Sequence, residues 1–297
     1  MNKLLTLALA LVGLTAPALA HPPRGIVVDG AGRVYFSDLE RIWMIDRRGR
    51  LSLVRAGVFG RHIHELVIDA AGAVYGEEQS YDSAREEWPS AIWKLWPDRR
   101  VTYIVPETRA PVLGTGLWRD GQGCTYLAQQ DRPPAGPLLF RRCAGRGPEL
   151  LFGNAADAGR YRQVLLSNIG GTAIGPDGSF YFRHGGTVRK RSPAGAVAVV
   201  ATGLAVENYG IAVGGDGTLY VAEFAARRIV AIAPDGRRRI VATASAPWAP
   251  TGLAFRFGSL YVLEAGQRDP RDPIAFRVRK RLPNGALTTV ATLPSAE

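Results

Sequence analysis

The sequence of 297 residues is poor in the side chains that metalloproteins and covalent catalysts rely on, with two cysteines, two methionines and four histidines. A lone pair of cysteines, Cys124 and Cys143, excludes four-cysteine zinc frameworks and iron–sulfur runs. There is no Gly-x-Ser-x-Gly elbow and no phosphate-cradling glycine loop, which removes the common hydrolase and nucleotide-binding classes. Lysine is scarce too. Lys3, Lys94, Lys190 and Lys280 are the whole set, so most of the 37 basic residues are arginine, and the formal charge is +11. The arginines come in ones to threes along the chain, with no basic helix and no aromatic-interleaved patch. That spread disfavours nucleic acid as a partner and reads as a solvated surface attractive to anionic small molecules, glycans or envelope lipids.

Long apolar runs are missing after residue 20, where nothing approaches the roughly 18 residues of a spanning helix. The first twenty residues, MNKLLTLALALVGLTAPALA, combine a basic start, an apolar stretch and small residues at Ala18 and Ala20. This predicts a signal peptide over 1–20, removed to leave His21 first, and an exported, periplasmic or secreted domain over 21–297 with no transmembrane segment, expected to be a monomer.

What the chain does have is glycine, 35 residues of it, much of it at recurring turns. Six segments align: RGIVVDGAGRVYFSD from 24, HELVIDAAGAVYGEE from 64, TGLWRDGQGCTYLAQ from 115, GGTAIGPDGSFYFRH from 170, YGIAVGGDGTLYVAE from 209 and TGLAFRFGSLYVLE from 251. Each reads as strand, glycine turn and aromatic-bearing strand. A third strand follows, such as RIWMID or RIVAIA, and then a fourth beyond turns such as APDG. Four strands repeated six times predict an all-β protein, a six-bladed β-propeller of four-stranded antiparallel blades starting near 24, 64, 115, 170, 209 and 251. The turn aspartates Asp29, Asp69, Asp177, Asp216 and Asp235 suit local turn bonding.

Strand alternation places the start of the first strand and the end of the second on one face, called the top face below. Continuing each hairpin outward from its turn pairs Arg24 with Asp38, His64 with Glu78, Thr115 with Gln129, Gly170 with His184, Tyr209 with Glu223 and Thr251 with Glu264. Insertions at 79–91, 130–137, 153–168 and 265–273 emerge on the same face, as do all four histidines. Loops gathered on one side of a rigid scaffold are the usual home of binding. Arg24, Asp38, Gln129, Tyr209, Glu223 and Glu264 are therefore ligand-binding candidates. His62 and His64, two apart on one strand, project to the same side. With Glu78, and with His184 from a later blade, they could hold a metal or form a base oriented by a carboxylate. A hydrogen-bonded histidine at a wet channel mouth is the equal alternative. In the third blade the register sets Leu127 opposite Phe140 and Cys124 opposite Cys143, which predicts a disulfide in an oxidising compartment.

The run of Gly, apolar residues, turn and LYVAE followed by an RI strand resembles the NHL-repeat family and the gluconolactonase-like propellers, over residues 24 to 292. Locally, His62, His64 and Glu78 resemble the site of the streptogramin-lyase family. That resemblance implies His64 as general base and Glu78 as ligand of a magnesium ion. His62 departs from it, standing where those lyases carry an acid, and two imidazoles suit zinc or copper better. The gluconolactonase resemblance implies a divalent ion, such as calcium, held by acids and asparagines; at the corresponding strand starts this chain has Arg24, His64, Thr115, Gly170, Tyr209 and Thr251 instead. Three functions follow as expectations: a binding protein for a small molecule, glycan or protein on the top face, a metal-dependent lyase or hydrolase using His64 and Glu78, and an envelope interaction scaffold.

Overall fold

The structure is a computed structural model that describes residues 22–85, 89–108, 118–119, 124–129, 138–152, 169–184, 186–205, 208–269 and 273–293. It is a six-bladed β-propeller. Six sheets of four strands each follow one another along the chain, every strand pairing antiparallel with its sequence neighbour, and no helix occurs among the described residues. Each blade buries its faces against its neighbours. Blade one packs on blade six through Ile26, Val28, Phe36 and Ile45 against Tyr261, Leu263, Phe276 and Val278. Blade one meets blade two through Val27, Tyr35, Ile42 and Met44 against Leu66, Val74 and Trp93. The ring thus closes on side-chain packing, with no strand shared between the first and last blades.

The turn aspartates work as their positions predict. The Oδ1 atoms of Asp29, Asp69, Asp177, Asp216 and Asp235 accept backbone N–H groups from Arg33, Ala73, Ser179, Thr218 and Arg237. Backbone donation from Thr218 and Arg237 holds the carboxyls of Asp216 and Asp235 below their ordinary range, and Lys190 draws Asp177 down to about 2.

The hairpins keep the predicted register near their turns but not at their top ends. In blade two Leu66 faces Gly76 as expected, yet Glu78 faces Ile63 instead of His64. The same one-residue shift sets His184 opposite Ile169, Glu223 opposite Asn208 and Glu264 opposite Pro250, where Gly170, Tyr209 and Thr251 were predicted. Each innermost strand of these four blades carries one extra residue, a β-bulge that bends the strand and re-aims its side chains. The cause is crowding around the axis. A Cβ placed on Gly210 would stand 2.7 Å from the Leu253 nitrogen, and one on Gly252 would overlap the Arg24 carbonyl oxygen. The repeated glycine is therefore the point where neighbouring innermost strands touch, and together they form a collar of backbone at the top of the channel.

The regular outer hairpin of blade three keeps its register. Leu127 faces Phe140, and Cys124 is joined to Cys143 across a Cα separation of 4.2 Å.

A second close approach supports the blade one–blade two contact. Gly76 lies flat against Trp93, which is fully buried and carries the Arg55 guanidinium 4.7 Å above its ring. Gly76→Ala would drive a methyl into that indole. We expect a loss of about 1–3 kcal/mol in urea unfolding; a loss under about 0.5 kcal/mol, the range of an inert surface change, would mean that the ring has room to move.

Candidate functional site

The four acids at the ends of second strands, Asp38, Glu78, Glu223 and Glu264, are each occupied by neighbouring donors. Asp38 accepts the Arg41 N–H at 2.7 Å and the Trp43 indole N–H at 2.8 Å. Glu78 is buried, pairs with Arg55 and with Arg61 at 3.1 Å, and accepts the Tyr103 hydroxyl at 2.9 Å. Glu223 takes Arg228 and the Ala205 N–H, and Glu264 takes Arg277 and Arg279. Arginine thus has a second use here besides the solvated surface expected from its spread: Arg55 lies in a blade interface, 8% exposed.

His62 and His64 do come together, their rings edge to face with centroids 5.7 Å apart. Glu78 stands opposite Ile63, and its carboxylate is held by Arg55 of blade one, by Arg61 and by Tyr103. The side chains of Gln129 and His184 lie outside the described residues, as do Thr115 and most of the four insertions. Among the described residues no three His, Cys, Asp or Glu side chains gather as a metal site.

What stands at the channel mouth is a different set. A cavity of about 310 Å³ runs down the axis between the innermost strands, lined at its top by Arg24, Glu65 and Thr172 and at its far end by Ile174 and Arg256. Glu65 comes from blade two and bridges two other blades. It accepts Arg24 Nη2 from blade one at 3.3 Å and faces the Thr172 hydroxyl of blade four at 3.5 Å. The Arg24 backbone N–H in turn donates to the His64 carbonyl at 2.9 Å. Arg24 Nε is buried and has no hydrogen-bond partner among the described residues. Arg183, 6% exposed, lies on the second strand of blade four, Phe180–His184. Burial, and then the charge of Arg24, push its pKa down to about 10, while Tyr209 and Glu65 pull the other way. It remains protonated at neutral pH. Tyr209, from blade five, packs edge to face on Phe224 with centroids 5.0 Å apart.

Of the cavity-lining charged pair, sequence reasoning named Arg24 but not Glu65. Glu65 had a signal, for in the aligned repeats its column reads Gly25, Glu65, Gly116, Gly171, Gly210 and Gly252. A single acid in a glycine column has its Cα at the collar, and its side chain extends into the bore.

Comparison with solved structures adds the same architecture. The chain is similar to virginiamycin B lyase from Staphylococcus aureus, at 13% identity and a TM-score of 0.53, covering 93% of this chain and 85% of that one. The fold is that of the six-bladed propellers. Regucalcin from Agrobacterium tumefaciens, described as a calcium-binding protein, gives 13% and 0.53 over 83% of this chain and 84% of its own. A gluconolactonase from Xanthomonas campestris gives 13% and 0.52 over 82% and 84%. No family model matches the sequence, and no curated protein matches it.

The calcium of the regucalcin relative does not fit the described mouth of this propeller. Calcium takes six to eight oxygen ligands, several of them carboxylate. Among the described residues Glu65 is the one carboxylate lining the cavity, and it already holds Arg24.

Proposed function

We propose that the protein is an exported propeller that binds a small anionic molecule at the top mouth of its central channel. Arg24 makes the direct contact. The observation that carries this reading is the guanidinium of Arg24, which lines the cavity and meets a single carboxylate there, Glu65, at 3.3 Å. A guanidinium edge is shaped for carboxylate or phosphate oxygens. The cavity lies at the small end of ligand sites, roughly 300–1,000 Å³. The signal-like segment and the Cys124–Cys143 bond support export.

Ligands that bind the folded state raise its melting temperature. Acetate, benzoate and phosphate should therefore include at least one stabilising anion, whereas ethanolamine at equal ionic strength should do nothing. Arg24→Gln should remove the anion's effect. Equal responses to anions and to the amine, or an unchanged response in Arg24→Gln, would overturn the reading.

The adjacent His62 and His64 rings, and the likeness to a lyase, favour a second reading, a metal-dependent lyase or hydrolase with His64 as base. In that case metal analysis of the purified protein returns a stoichiometric ion, and His64→Ala abolishes it with little change in melting temperature.

A further inference from the structure

The arginines of the ring divide by face. At the top they are matched to acids, Arg55 and Arg61 to Glu78, Arg228 to Glu223, and Arg277 to Glu264. The opposite, bottom face is where each first strand turns into the second and each third into the fourth. There Arg48, Arg99, Arg146 and Arg256 stand exposed at the turns of blades one, two, three and six, and their guanidinium groups have no ion pair or hydrogen bond among the described residues. The carboxylates of the bottom turns are already engaged: Asp29 by Arg33, Asp46 by Arg50, Asp177 by Lys190 and Asp235 by Arg237. We propose that the bottom face docks on a lipid surface bearing anionic headgroups, with Phe257 entering the headgroup layer. The proposal is independent of the anion site at the top mouth.

Three features lead to it. The first is the spread of charge: cations carried by four different blades suit an extended anionic surface better than a small ligand. The second is the aromatic. Phe257 is 61% exposed at the end of the innermost strand of blade six, with a φ of 50°, and a bulky side chain on left-handed backbone is an outlier. Where the turns of blades one, two, four and five carry Asp29, Asp69, Asp177 and Asp216, the shorter sixth repeat carries Arg256 and Phe257. The Arg256 guanidinium lies 5.2 Å from the centre of the Phe257 ring. An apolar ring beside a cation is the pairing found at membrane–water interfaces. Trp96, at the bottom turn of blade two, repeats it, with Lys94 Nζ 3.7 Å and Arg100 Cζ 4.9 Å from its ring centre. The third feature is access. The described bottom turns are short, such as the one between Ile45 and Leu51, so none of them holds a planar surface away from the arginines. The phosphates of a nucleic-acid duplex would meet the same cations but leave Phe257 in water, which favours lipid.

The chain from His21 onward contains every described blade and lacks the apolar first twenty residues, so its binding to vesicles reports the folded surface. In flotation at about 0.1 M salt it should bind vesicles of equal parts phosphatidylcholine and phosphatidylglycerol at least about tenfold more tightly than pure phosphatidylcholine, and the preference should shrink as salt approaches about 1 M. Arg48→Glu should lower affinity for the mixed vesicles about tenfold, whereas Arg85→Glu, an exposed reversal in the insertion at 79–91, should change it less than about threefold. Phe257→Asn suits the same left-handed backbone and should weaken binding about fivefold at low and high salt alike. Equal binding to both kinds of vesicle, equal losses in Arg48→Glu and Arg85→Glu, or unchanged binding in Phe257→Asn would overturn the proposal. A DNA duplex bound more tightly than the mixed vesicles would also overturn it, making the face a nucleic-acid surface.

Discussion

Replacing Glu78 by alanine is expected to lower the unfolding free energy by about 3–5 kcal/mol, the usual cost of stripping one partner from a buried ion pair. The reason lies in its partners. Arg55 closes the fourth strand of blade one, Leu51–Arg55, and is buried over the Trp93 ring of blade two, so removing the carboxylate leaves a guanidinium with its charge uncompensated inside the interface. Arg61 and the Tyr103 hydroxyl lose the same acceptor. For a chain of this size the melting temperature should fall by roughly 10 °C. Scanning calorimetry and urea unfolding would measure both. The double variant Arg55→Met with Glu78→Met is expected to recover much of the loss, because it removes both charges together. A Glu78→Ala protein that melts unchanged would show that the carboxylate does not clasp the blades.

The disulfide carries the second large effect. Cys124 and Cys143 enclose a loop with a sequence separation of 19, and opening it by changing both to alanine should cost about 3 kcal/mol, chiefly through the greater freedom of the unfolded chain. A reductant should produce the same shift in the unaltered protein and none in the double variant. A non-reduced digest should yield the two cysteine peptides joined. Equal stability of the oxidised and reduced protein would contradict the expectation.

The blades were legible because local chemistry repeats. Tyr35, Tyr75, Tyr126, Tyr181, Tyr220 and Tyr261 recur at one position of the second strand, and the aspartate–glycine turns mark where each hairpin reverses. Register could be read wherever a turn alone sets it, as for the cysteines. It slipped by one residue at His64, Gly170, Tyr209 and Thr251 because the bulge there answers to the neighbouring blade and not to the hairpin's own residues. The acids at the ends of the second strands were visible as a column. Their partners were not, since Glu78 draws Arg55 from the preceding blade and Glu264 draws Arg277 from the next strand of its own. Arg183 was hidden in another way. It stands where blades five and six carry Ala222 and Leu263, and its burial belongs to the assembled ring.

The backbone collar also governs timing. Strands held in contact at Gly210 and Gly252 cannot spread without parting the blades behind them. Entry at the mouth must therefore take place with the blades in position, past Arg24 and Glu65, which hold each other across the top of the bore. Capture at this mouth should proceed in a single fast phase that scales with ligand concentration, with no slow step of the kind that domain closure imposes.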